Sequence, residues 1–156
     1  MKKYWDFYDL NDKPIRGDHT KACLKWGKMM EKDRKGERKF IVKQEKNWMG
    51  FWVSTVWLGL NHSFDPSGKS SPLIYETMVF FHPPFGMEHK SDLDCFRYPN
   101  RHDAFYGHKQ IVDEWKKPEK VLVAIALTFQ ILWKTIKESI THEERDFWKK
   151  LQEKKS

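Results

Sequence analysis

The amino-acid sequence predicts an α+β fold: an antiparallel β-sheet meander with one early helix, and two or more C-terminal helices packed on it. Three observations predict it. From Arg38 to Tyr98, apolar residues occur in short β-branched and aromatic runs separated by turn chemistry; from Asn100 onward they recur at spacings of three and four. Eight Trp, eleven Phe and five Tyr supply a core in a chain only 39% hydrophobic and 33% charged, which argues against disorder. A length of 156 residues suits a single domain, read as a sheet-and-helix core over 4–116 and a helical tail over 118–156 suited to oligomerisation.

Tyr4 to Leu10 alternates aromatic and polar residues, and Asn11-Asp12 before Lys13-Pro14-Ile15 has the chemistry of a tight reversal, so an opening hairpin is expected. Asp18 is placed to cap a helix carrying Ala22, Trp26 and Met29 or Met30 on one face, ending near Lys35-Gly36. Arg38 to Glu45 reads as a half-buried strand with Phe40 and Val42 on one face and Lys39, Ile41 and Lys43 on the other, and Lys46-Asn47 as a turn. Phe51 to His62 is too apolar on both faces for an edge strand, so it should be central. After a loop from Asn61 to Pro72, Leu73 to Phe81 should pair with it antiparallel; a loop from His82 to Asp92 then leads to a last strand at Cys95 to Tyr98.

Asn100 with Asp103 three residues on is a weak capping box, opening a helix to Lys117 in which Ala104, His108, Ile111 and Trp115 form the apolar stripe. Pro118 opens a second helix through Val121, Ile125, Phe129, Leu132 and Ile136. Its first half is apolar on nearly all faces, which predicts that it is sandwiched and that the chain forms a homodimer or higher homo-oligomer. Thr141 with Glu144 makes another capping box, so a kink or restart is expected there, before Phe147, Trp148 and Leu151.

The longest apolar run, Val121 to Leu127, is too short to span a bilayer and the N-terminus has no secretory h-region; with two cysteines, Cys23 and Cys95, and no disulfide framework, the expectation is a cytoplasmic protein without a membrane partner. The excess of 29 Lys and Arg over 22 Asp and Glu, a net charge of +7, favours an anionic partner. Phosphate-binding loops, nucleophile elbows, redox Cys pairs and dinucleotide fingerprints are absent from the sequence. His82, His89 and His102 with Cys95, Asp92 and Asp94 match no metal spacing, so neither a metal nor a cofactor is expected.

Candidate site residues follow from strand ends. Arg97 and Tyr98, next to a helix start at Asn100, offer a guanidinium, a ring and free backbone donors, which suit a phosphate and a base. Asn61 and His62 close the first central stretch and Glu76 lies in its partner, an amide, imidazole and carboxylate able to grip a polar ligand; a cross-strand ion pair between Glu76 and Arg97 or Arg38 is the plainer alternative. His108 on the apolar stripe must face the sheet, either as a satisfied core histidine or as a base. The basic clusters Lys32 to Lys39 and Lys149 to Lys155 read as solvated charge.

The phrases VSTVWLGLNH (Val53 to His62), PLIYETMVF (Pro72 to Phe80) and DLDCFRYPN (Asp92 to Asn100), with the helix bearing Gly107-His108, resemble a family of small phage and prophage proteins to which no activity is assigned. The resemblance spans roughly residues 4 to 116. It departs from the family pattern at Asn61, where an acid is usual, at Tyr75, where Phe is usual, and at Asn11-Asp12, in place of Asp-Gly.

The expected function is a non-enzymatic accessory protein that sequesters an anionic small molecule, a nucleotide or nucleotide signal, through Arg97, Tyr98, Asn61, His62 and Glu76, with counter-defence as the use the resemblance implies. Two alternatives stand beside it: a phosphodiester-type hydrolase using His62, His108 and Glu76, and a module that binds nucleic acid or inhibits a host protein.

Overall fold

The computed structural model describes residues 6–32, 40–63, 65, 69–83 and 91–153, and in the last helix the side chains up to 141. The elements are α1 (His19–Lys32), β1 (Ile41–Lys46), β2 (Phe51–Trp57), β3 (Tyr75–Phe81), β4 (Ser91–Tyr98), α2 (Arg101–Glu114) and α3 (Glu119–Glu153). The strands form one sheet in the order β1-β2-β3-β4 with every neighbouring pair antiparallel. The architecture is therefore α+β, with a meander, one early helix and two C-terminal helices, as the sequence predicts.

Local chemistry sets the boundaries. Asp18 Oδ1 accepts from the Lys21 backbone N–H at 2.9 Å and caps α1. Its expected end at Lys35-Gly36 lies outside the described residues, as do Tyr4-Trp5 of the opening hairpin and Arg38-Lys39 before β1. The hairpin itself is reduced to isolated bridges, Tyr8 with Pro14 and Phe7 with Leu60, around a turn in which Asp9 Oδ1 accepts from Asn11 and Lys13 and Asp12 has φ 59°. Asn100 Oδ1 accepts from the Asp103 N–H at 2.9 Å and caps α2, and Asn100 Nδ2 donates to Asp103 Oδ2 at 2.9 Å, a side-chain bond in place of the return bond to the Asn100 backbone N–H of a full capping box.

One face of the sheet is covered. Phe51, Val53, Thr55 and Trp57 of β2 and Tyr75, Thr77, Val79 and Phe81 of β3 are buried against α2, which crosses all four strands and contributes Ala104, Gly107, His108, Ile111 and Val112, with Trp115 just beyond its end. Val121, Ala124, Leu127 and Ile131 of α3 close the same core, while α1 packs Ala22, Trp26 and Met29 at one end of the sheet, where Trp26 Nε1 donates to the Leu58 carbonyl at 2.9 Å.

Several expectations need correction, the strand bounds among them: β2 stops at Trp57 instead of His62, β3 starts at Tyr75 instead of Leu73, and β4 starts at Ser91 instead of Cys95. β1 carries a bulge between Ile41 and Lys43, so Phe40, which stacks on Trp57, and Lys43, which pairs with Thr55, sit on the same covered face rather than on opposite ones. α2 ends at Glu114, three residues early, because the Trp115 backbone leaves the helical region at φ −80° and ψ 0°, its N–H still bonded to the Ile111 carbonyl. α3 runs unbroken through Thr141, whose hydroxyl donates back to the Lys137 and Glu138 carbonyls at 3.0 Å. A hydroxyl bonded to the preceding turn cannot cap a new one, so no restart occurs.

The fit of α2 on the sheet depends on Gly107. A β-carbon there would run into the phenol of Tyr98, which is itself half-buried between the two larger core clusters. Gly107→Ala is expected to cost about 2 kcal/mol, within the range for overpacking, read as a lowered midpoint in urea unfolding.

Candidate functional site

The pleat sorts the candidate residues onto two faces. On the covered face, His108 is fully buried: its Nδ1 lies 2.7 Å from Thr55 Oγ1, which lies 2.6 Å from Thr77 Oγ1, and the Tyr98 phenol lies beside Thr77 in turn. Nε2 points to Glu45 Oε1 at 3.7 Å, beyond hydrogen-bond length. Burial holds His108 below its ordinary pKa, opposed by the Glu45 carboxylate, so the ring is neutral near pH 7. Glu45 is held ionised by the hydrogen bond from Lys43, with Lys116 3.6 Å away. The row from Tyr98 through Thr77 and Thr55 to His108 thus orders the contact between α2 and the sheet. His108 is thus a core histidine partnered at Nδ1 by a threonine hydroxyl, while its buried Nε2 has no hydrogen-bond partner among the described residues, so the plainer reading of a satisfied histidine holds at one ring nitrogen only.

On the opposite face, Glu76 pairs with Arg97 across β3 and β4, with Arg97 Nε donating to Glu76 Oε2 at 2.9 Å. His62, at the mouth of the loop after β2, has its pKa lowered by burial first and then by Arg97, while Glu76 raises it, and the net direction is down. Cys95 adjoins the same carboxylate, and burial first, then Glu76, pushes its thiol up, so it is not an activated nucleophile. Asn61 shapes this mouth instead of facing a ligand: its Oδ1 accepts from the Ser63 and Leu73 N–H groups at 2.9 and 3.0 Å, and its own N–H donates to Asp6.

The structure therefore brings Arg97, Glu76 and His62 together, with Asn61 behind them, and places Tyr98 and His108 beyond the sheet. Tyr98 follows Arg97 and so must point the other way; Thr77 follows Glu76 and does the same. The three residues of the hydrolase alternative, His62, His108 and Glu76, do not converge. Among the described residues no helix lies on the Arg97 face, and no group of three His, Cys, Asp or Glu side chains is placed to hold a metal.

The sequence singles out Trp52, with Trp26 and Trp48, as rings able to stack on single-stranded bases, but not the pairing of Trp52 with Phe80 on this face. Four residues along β2 from Val56, which pairs with Glu76, stands Trp52, and opposite it Phe80, with ring centroids 5.2 Å apart and His82 edge-on to the Trp52 ring at 5.5 Å. The face is thus graded from a charged row at Glu76 and Arg97 to an aromatic row at Trp52 and Phe80, about 13 Å away at the rise of a strand. The period-two spacing of Trp52, Ser54 and Val56 in the sequence carried that signal.

Comparison with protein-family models, with curated proteins and with solved structures finds no match.

Proposed function

We propose that the chain is a non-enzymatic accessory protein of the host cytoplasm, homo-oligomeric, that captures an anionic ligand of the nucleotide class on the Arg97 face of its sheet. One observation carries this reading: Arg97 spends only its Nε–H on Glu76 among the described residues, leaving both Nη groups for a phosphate, on the same face as the rings of Trp52 and Phe80. His62 adds a neutral imidazole at that end and Asn61 fixes the loop that presents it. The net charge of +7 favours the encounter. Counter-defence by sequestering a nucleotide signal is the use that the phage-type resemblance suggests.

The test is native mass spectrometry of the purified protein for a co-purifying nucleotide, followed by calorimetric titration with adenosine monophosphate. Arg97→Gln should weaken binding by ten- to a hundredfold, the value of one charge-assisted bidentate contact. Glu76→Gln should leave affinity unchanged or raised, because it removes a carboxylate competing for the guanidinium. Absence of any nucleotide and no heat with the probe would sink the reading.

A second reading rests on α2. Arg101, Phe105 and Lys109 recur at intervals of four on its outer side, Phe105 and Tyr106 are exposed, and the Lys43 ammonium sits 5.5 Å from the Phe105 ring centroid. Such a line suits single-stranded nucleic acid, and fluorescence anisotropy of a labelled oligothymidylate that falls steeply with salt would favour it.

A further inference from the structure

α3 is two-sided. Val121, Ala124, Leu127 and Ile131 close the core, but Leu122 at 71%, Ile125 at 47%, Phe129 at 68%, Trp133 at 72%, Ile136 at 50% and Ile140 at 52% remain exposed. At 100° per residue these six fall within one stripe under a quarter of the helix circumference wide, about 27 Å long. No charged residue occurs from Val121 to Trp133. The stripe borders an apolar cavity of about 300 Å³ between the β1–β2 turn, where Trp48 is 83% exposed, and the helix residues Val121, Ile125 and Phe129.

We infer that this stripe is the seam of a two-fold homodimer in which α3 packs antiparallel against α3 of a second copy, with the axis near Phe129. The inference deepens the homo-oligomeric part of the proposed function and rests on that part alone. The exposed area of the six side chains is on the order of 800 Å² per chain, what each partner contributes to an interface of standard size, and above the patch carried by a typical monomer. Transient interfaces are no more apolar than the rest of a surface, whereas homodimer interfaces are enriched in apolar area. A charge-free stripe has no feature to select a different partner, and is complementary to itself under a two-fold axis.

The antiparallel sense follows from where the cavity lies. It flanks the half of α3 up to and including Leu132, while Trp133, Ile136 and Ile140 extend past the last core contact at Ile131. Antiparallel pairing about Phe129 sets Ile136 opposite Leu122 and Trp133 opposite Ile125, so each protruding half fills the other chain's cavity. Parallel pairing would set cavity against cavity and leave both empty, at the cost of the contacts their linings then lack.

The test is sedimentation equilibrium of the full chain at 1 to 50 μM, a concentration window chosen as an order-of-magnitude bracket for interfaces of about this size. The expected result is a species of twice the 18.9 kDa chain mass. Phe129→Glu and Trp133→Glu should each weaken the dimer about a hundredfold or more with unchanged circular dichroism. The sense is read on a Cys23→Ser, Cys95→Ser background: a mixture of Leu122→Cys and Ile136→Cys chains should form a disulfide-linked dimer under mild oxidation, and Leu122→Cys alone should not. Self-linking of Leu122→Cys would overturn the antiparallel seam. A monomer that floats with phosphatidylcholine–phosphatidylglycerol vesicles would overturn the second copy as the occupant. A monomer that still binds adenosine monophosphate would overturn this inference while leaving anion capture standing; a dimer that binds no nucleotide would do the reverse.

Discussion

His108→Ala is expected to lower the folding free energy by about 3 kcal/mol, the sum of a cavity under α2 and of Thr55 and Thr77 hydroxyls left short of a partner in a dry interior. His108 is fully buried and is the only contact through which the threonine pair of β2 and β3 reaches α2 by hydrogen bond among the described residues. Urea unfolding monitored by tryptophan fluorescence would read the loss; a change below about 1 kcal/mol would mean that the row of hydroxyls re-forms around water. The same residue sets a pH dependence. Its folded pKa lies below the ordinary 6.5, so below that pH the unfolded chain takes up a proton that the folded chain resists, and stability falls as pH drops from about 6.5 toward the folded value. Glu45 opposes this shift, and Lys43 and Lys116 reinforce it, which makes the net direction a property of the whole cluster. His108→Gln, which keeps a hydrogen-bonding side chain without a proton to gain, should flatten the wild-type slope between pH 7.5 and 5.5. An equal slope in both proteins would assign the acid sensitivity elsewhere.

Gly50→Ala is expected to be comparably severe, at about 3 kcal/mol, or a fall in melting temperature of roughly 6 to 12 °C for a chain of this size. Gly50 has φ 93°, a conformation that side-chain-bearing residues rarely take, and a β-carbon there would collide with the backbone carbonyl of His82. That carbonyl has no rotamer with which to retreat, because the His82 N–H is bonded to the Gly50 carbonyl at 2.9 Å. The turn is also fixed from its other side. Asn47 Oδ1 accepts from the Met49 and Phe51 N–H groups, and Asn47 Nδ2 donates to the Trp115 carbonyl at the end of α2. Strain at Gly50 would therefore be passed to the seat of α2 and to Met49 at the cavity beside α3. Differential scanning calorimetry would read it, and a shift under about 2 °C would show that the turn yields without disturbing the strands.

Much of the fold is legible in residue order because its determinants are local. A cap needs one side chain within three residues, as at Asp18 and Asn100, and a helix stripe repeats at a fixed period, as from Ala104 to Trp115. Thr141 shows the limit of that reasoning. Its spacing to Glu144 satisfies a capping box, yet the hydroxyl is taken by the Lys137 and Glu138 carbonyls of an intact helix. Pattern specifies what a side chain can do, and the competing bond decides what it does.

The sequence by itself determined the class of the protein: an antiparallel meander closed by helices, with its central strands within Phe51 to His62 and Leu73 to Phe81, because β-branched and aromatic alternation and capping residues act within a few positions. Only the tertiary structure decided which residues meet. The bulge at Ile41 to Lys43 moved Lys43 and Glu45 to the helix side, placing Glu45 beside His108, where the hydrolase alternative set Glu76. The pleat separated Tyr98 from Arg97 and gave Arg97 the face of Trp52 and Phe80 instead. The physical reason is the same in each case. A strand's side chains alternate with a period of two, so one inserted residue, or one step along the chain, exchanges solvent for core, and that parity is fixed by pairing with another strand.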